Sequence, residues 1–224
     1  MLSNLQLICF EVSNKCNLAE AHKAFCPSCI KGFRKGSKPA TNGDFVEFLD
    51  SCIEAGFNGK IGFHFYNEPT LAIERCIDIG AAANSRGLET VLWSNGTKEI
   101  SQSWFDEIFV TEYPESIKDN CTKAIPYAPD DRLKIYDAEP TDNYQPCCRP
   151  SHIEMPIDYY GNLHLCCSDW RGEYDIGNIR QRQHDVLLNR WAMAIIDADH
   201  GCDICMKCQG LCKSPACYDK GYLV

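Results

Sequence analysis

Sixteen of the 224 residues are cysteine, and they are unevenly spread. One group is Cys16, Cys26 and Cys29. A second, denser group runs from Cys147-Cys148 to Cys217. Cysteine at this density means either a disulfide framework in a small secreted chain or thiolates gathered around metal. Met1 to Glu11 has one short apolar stretch and no basic flank, so it reads as neither a signal peptide nor a membrane span. No apolar run approaches the roughly 18 residues that a membrane-spanning helix needs. The expected location is the cytoplasm, where clustered thiols bind metal rather than pair. The expected cytoplasmic chain has no membrane partner.

Composition sets the remaining bounds. Hydrophobic residues make up 45% of the chain, enough for one sizeable core or a core with a small appendage. The net charge of -9 argues against a nucleic-acid polymer as partner, because such binding needs cations to neutralise phosphates.

Strand and helix patterns alternate over the first 140 residues. Gln6 to Val12 reads as a buried strand. Asp44 to Ala55 has apolar residues at Phe45, Phe48, Leu49, Cys52 and Ile53, the spacing of one helix face, and stops at Gly56. Lys60 to Tyr66 is a second strand, Leu71 to Arg86 a second helix, and Glu89 to Trp93 a third strand. A short helix follows at Ser101 to Glu107. Ile108 to Tyr113 is a fourth strand, and Arg132 to Tyr136 is read as a fifth. This alternation predicts an α/β fold with parallel strands and helical crossovers, in which ligands sit beyond the carboxyl ends of the strands. The unusual residues fall there: Cys16 after the first strand, Asn67-Glu68-Pro69 after the second, Ser94-Asn95 after the third, Glu112-Tyr113 after the fourth. Past residue 140 the alternation stops. Pro156 to Cys167 reads as a hairpin turning at Gly161-Asn162, and His184 to Ala194 as a helix. The tail from Cys202 is too irregular for a core of its own. The expected division is 1–140 and 141–224.

The first group has the spacing C-x9-C-x2-C. A cysteine pair plus one more thiol on a loop suits zinc, with His22 available as a fourth ligand, or an iron–sulfur cluster with one open iron. The local sequence Ser13 to Leu18, followed by Cys26-Pro27-Ser28-Cys29, resembles the C-x3-C-x2-C signature of the radical S-adenosylmethionine (SAM) superfamily. Six inserted residues, Glu20 to Phe25, separate it from the usual spacing, and Ser28 stands where the family usually has an aromatic residue. Phe65 to Leu71 resembles the family's Gly-Gly-Glu-Pro segment, with Tyr66-Asn67 in place of the glycines. Ser94 to Thr97 resembles its short polar motif. The resemblance implies a shortened partial (β/α) barrel and a [4Fe-4S] cluster on Cys16, Cys26 and Cys29. It also implies that Asn67, Glu68, Pro69, Ser94 and Asn95 hold S-adenosylmethionine. His64, Tyr66 and Trp93 are candidates to line the cavity, and Glu11, His64, Glu112 and Tyr113 to touch substrate.

Cys147-Cys148-Arg149-Pro150, Gly161 with Cys166, and the later cysteine pairs resemble the SPASM or shorter twitch extension of the same superfamily, as do Ile176 to Ile179 with Trp191. The resemblance implies a small cysteine-rich C-terminal hairpin and helix extension. It would carry at least one auxiliary [4Fe-4S] cluster, assigned to Cys147, Cys166, Cys202 and Cys205. Cys148, Cys167, Cys208, Cys212 and Cys217 are rival ligands. Cys9, Cys52 and Cys76 read as core thiols. The activity so implied is reductive cleavage of S-adenosylmethionine to a 5'-deoxyadenosyl radical that abstracts hydrogen from a small metabolite. An electron donor such as flavodoxin or ferredoxin would serve it. A peptide or protein is the alternative substrate, and a non-enzymatic zinc-binding interaction module the alternative of another class.

Overall fold

The computed structural model describes residues 2–18, 36, 38–126, 131–147 and 153–211, with side chains left out at 131–133 and 209–211. Cys26, Cys29, Cys148, Cys212 and Cys217, together with the inserted segment Glu20 to Phe25, lie outside the described residues.

The chain forms a mixed α/β fold around one eight-stranded sheet. Strands β1 (Leu7–Phe10), β2 (Lys60–Phe63), β3 (Thr90–Ser94), β4 (Glu107–Glu112) and β5 (Lys123–Pro126) are followed by β6 (Glu154–Ile157), β7 (Asn162–Leu163) and β8 (Gly177–Asn178). Their order across the sheet is β5-β4-β3-β2-β1-β6-β7-β8. The first six are mutually parallel, and β7 and β8 are antiparallel additions. The linear order leaves the sheet open, as the expected partial barrel requires.

Helices α1 (Asn42–Glu54) and α2 (Ile73–Asn84) are the crossovers from β1 to β2 and from β2 to β3. Both cover the face bearing Ile8, Phe10, Ile61, Phe63, Leu92 and Ile108, which join Phe45, Phe48, Leu49, Cys76 and Ile79 in the main core. Helix α1 starts where it does because Thr41 and Asp44 form a capping box: Asp44 N donates to Thr41 Oγ1 at 3.1 Å and Thr41 N to Asp44 Oδ2 at 2.8 Å. Thr41→Ala is expected to cost about 1 kcal/mol, read as a lower urea midpoint with an unchanged slope.

Two expectations are corrected. Asp131–Asp137 is a 3-10 helix, not a strand. It is anchored by side chains, not a ladder: Tyr136 OH donates to Asp169 Oδ1 and accepts from Arg171 N. The fifth strand is instead Lys123–Pro126. It lies at the sheet edge, where an exposed lysine and a proline are tolerated. The tail is not irregular throughout either. Helix α3 (His184–Asp199) is followed by α4 (Asp203–Leu211), which buries Ile204 and Cys205. The hairpin at Gly161 is present as β6 and β7, and β6 also pairs in parallel with β1 from Leu7↔Glu154 to Phe10↔Ile157. Residue 140 therefore falls between two strands of one sheet.

Candidate active site

Parallel pairing puts the carboxyl ends of β1, β2, β3, β4 and β6 along one edge, and the loops leaving them bond directly to one another. Beyond β1, Asn17 stands next to Cys16. Its Nδ2 donates to Thr97 Oγ1 at 2.5 Å, and its Oδ1 accepts from Asn95 Nδ2 at 2.8 Å. Thr97 closes the triangle by donating through Oγ1 to Asn95 Oδ1 at 2.7 Å. The cysteine loop is thus tied to the polar motif after β3.

Glu68 ties in the third loop. Its carboxylate is 3% exposed. Oε1 accepts from Thr70 N, Thr70 Oγ1 and Ser94 Oγ at 3.1, 2.6 and 2.7 Å, and Oε2 accepts from Asn95 N at 2.8 Å. Its backbone N–H donates to Lys15 O at 2.9 Å. Four donors satisfy a buried carboxylate, so Glu68 fastens the ends of β2 and β3 together and caps the short 3-10 helix Pro69–Ala72. Asn67, Pro69, Ser94 and Asn95 stand around it on the same edge. Ser116, beyond β4, joins by donating through Oγ to Asn95 O at 2.6 Å.

Two residues with large roles gave little signal in the sequence. Arg75 on α2 donates through Nη1 to Val12 O at 2.8 Å and through Nη2 to Ala40 O at 2.6 Å. In sequence these carbonyls flank the segment that contains all three cysteines of the first group, and Arg75 ties Val12 to Ala40. Its guanidinium lies over the rings of Phe45 and Tyr159. Phe65 has φ 153°, a region that only glycine enters easily. Such a backbone costs about 1–3 kcal/mol and persists only where its surroundings fix it. Phe65 is buried, with its ring centroid 4.4 Å from Tyr66 and 4.8 Å from His164.

Alternation along the strands sends Gly62, His64, Trp93 and Phe109 to the face away from α1 and α2. The His64 and Trp93 rings are 5.4 Å apart and those of Trp93 and Phe109 5.2 Å. Gly62 makes room for this row: a Cβ there would lie 2.9 Å from the Trp93 ring. Of the other candidate contacts, Glu112 is paired with Lys118 at 2.8 Å. The Tyr113 backbone N–H donates to Ser116 Oγ. Glu11 is buried, and both its oxygens accept backbone N–H groups.

Of the described cysteines in the second group, Cys202 and Cys205 meet at the start of α4. Cys202 Sγ and Cys205 Sγ lie 3.2 Å apart and share a hydrogen bond. That bond lowers Cys202 toward the thiolate, while the same bond and burial push Cys205 up. Cys205 also feels the charge of Cys166, and Tyr144 lies within range of both Cys205 and Cys147. Tyr144 is thus what relates Cys147 to Cys205. Cys167 N donates to the buried Glu154 at 2.9 Å and Cys208 Sγ to Ser168 Oγ at 3.5 Å. Among the described residues, no disulfide joins any cysteine. Among the described residues, no three acidic, histidine or cysteine groups are close enough to chelate a single metal ion. Cys9, Cys52 and Cys76 are core thiols, and burial pushes the latter two up.

No protein-family model and no curated protein sequence matches the chain. Solved structures do. The crystal structure of BtrN in complex with AdoMet (S-adenosylmethionine) and 2-DOIA superposes with a TM-score of 0.65 at 19% identity, covering 92% of this chain and 93% of that one. BtrN in an open conformation gives 0.62 at 21% identity over 90% and 91%. Streptococcus suis SuiB bound to precursor peptide SuiA gives 0.44 at 13% identity over 84% of this chain and 65% of that one, too loose to carry weight. Over more than nine-tenths of its length, this chain has the fold of BtrN.

Proposed function

We propose that the chain is a radical SAM enzyme acting on a small metabolite. Its AdoMet site lies at the carboxyl ends of β1, β2 and β3, and one auxiliary [4Fe-4S] cluster is held by Cys147, Cys166, Cys202 and Cys205. The observation that carries the reading is the direct bonding of three motif loops: Asn17 beside Cys16 to Asn95 and Thr97, and Glu68 to Ser94 and Asn95. Shared fold with BtrN, which was solved with AdoMet, supports it. That complex also contains 2-DOIA, and the two chains align over nearly their full lengths, which supports a small molecule above a peptide.

Cys16, Cys26 and Cys29 would hold the cluster, which would supply the electron for cleavage of AdoMet to methionine and a 5'-deoxyadenosyl radical. The protein's own task is placement. Four protein donors let Glu68 hold Asn95 and Thr70 in place, and Oε2, with a single donor, keeps acceptor capacity toward AdoMet. Contact with AdoMet is assigned to Asn67, Glu68, Ser94, Asn95 and the backbone around Pro69. Trp93, His64 and Phe109 form an apolar wall that orients substrate and keeps water from the radical.

Anaerobic purification with iron and sulfide counts tests the reading. The expected result is a brown protein absorbing near roughly 400 nm, with about eight irons per chain. About four would remove the auxiliary cluster and about twelve would add another. Reduction in the presence of AdoMet is expected to release 5'-deoxyadenosine. A colourless protein containing zinc would instead favour an interaction module.

A further inference from the structure

Glu11 is 2% exposed and sits one residue past β1, between two loops that are far apart in the sequence. Its Oε1 accepts three hydrogen bonds from the loop after β2: Tyr66 N at 3.3 Å, Asn67 N at 3.2 Å and Asn67 Nδ2 at 2.8 Å. Its Oε2 accepts from Tyr159 N at 3.1 Å, in the turn between β6 and β7. Its backbone N–H donates to Ile157 O at 2.9 Å.

Two successive backbone N–H groups aimed at one anion form a nest, here filled from within by a carboxylate. Hydrogen bonds to a charged acceptor are roughly twice as strong as neutral ones. They begin immediately after Phe65, whose backbone occupies the glycine-like region. A strained residue stays put only where its flanks are over-determined, and Glu11 supplies that on the carboxyl side. Because a trans peptide points its N–H and C=O in opposite directions, anchoring the N–H groups of Tyr66 and Asn67 turns the carbonyls of Phe65 and Tyr66 the other way. The anchored Asn67 also leads directly into Glu68 and its union with β3.

We propose that Glu11 is a positioning residue for the AdoMet site: its carboxylate holds the strained loop after β2 in its receptive shape and fixes the β6–β7 turn, which leads to Cys166, in register with it. The proposal rests on the AdoMet reading above and assigns Glu11 to neither substrate nor cofactor contact.

The test compares the reconstituted wild type with Glu11→Gln. An amide has a single acceptor oxygen, so in either orientation its NH2 faces an N–H donor. Hydrogen exchange by mass spectrometry over 64–71 and 156–162 is expected to speed up about tenfold in at least one of these loops. AdoMet affinity is expected to fall about tenfold while iron content stays at the wild-type value. Adding Phe65→Gly, which occupies that backbone region without strain, is expected to restore much of the affinity. A merely stabilising carboxylate would give no such recovery. Exchange and affinity both within twofold of wild type would overturn the proposal, as would a double variant that binds no better than the single one. If Glu11→Gln does not fold, Glu11→Asp takes its place, because the shorter carboxylate cannot reach both loops. A wild type that binds no AdoMet would defeat the family reading alone, since the exchange comparison tests the latch without ligand.

Discussion

Replacing Cys16, Cys26 and Cys29 together by alanine is expected to reduce 5'-deoxyadenosine formation to background and to lower iron by about four per chain. Three thiolates on four irons leave one iron open, and His22 alone cannot replace three thiolates. Cys16 is only partly buried and sits outside the main core, so the melting temperature should move little. The auxiliary set would keep its iron, because Cys166, Cys202 and Cys205 are held by the β6–β7 hairpin and α4 rather than by the loop after β1. Chromatography of the reaction products and iron analysis read both effects. Persistent cleavage of AdoMet would place the site elsewhere in the chain.

Glu68→Ala is expected to destabilise the fold on the order of 3–5 kcal/mol, because it strands four buried donors at the joint of β2 and β3. That is a large part of the roughly 5–15 kcal/mol that holds a domain folded. Glu68→Gln keeps the size and one acceptor, and about 1–2 kcal/mol is expected for it. Urea unfolding followed by circular dichroism measures the difference. AdoMet affinity should fall in both variants, since Asn95 and Thr97 lose their anchor. An alanine variant within about 1 kcal/mol of wild type would show that the carboxylate does not carry the joint.

Local patterns in the sequence located β1 to β4, α1 and α2, because each buries one face and so repeats at its own period. The ends were less legible. The strand expected to reach Tyr66 stops at Phe63, since the backbone turns through the unusual conformation of Phe65. β5 carries little signal, because a four-residue edge strand with lysine and proline has no alternation to read. The spacing Cys202, Cys205, Cys208 is that of a helix face and equally that of metal-binding thiols, so it does not announce α4. Glu68 and Asn95 do lie just past β2 and β3. Their partners are not readable in the sequence: the bonds from Ser94 and Asn95 to Glu68 cross between strands, and Arg75 resembles any helix-surface cation until its carbonyl partners are seen. Long-range partners are set by topology, which no local window contains.

The pairing of β1 with β6 has a consequence for biogenesis. Residues at the start of the chain find their second neighbour only when Glu154–Ile157 has been made. Contacts so distant in sequence form slowly, because loop closure must precede any gain from pairing. On the ribosome, β1 therefore waits with one edge open, and the latch from Glu11 to Tyr159 closes only once the β6–β7 turn has been made. Interrupted synthesis leaves an exposed sheet edge that chaperones must cover.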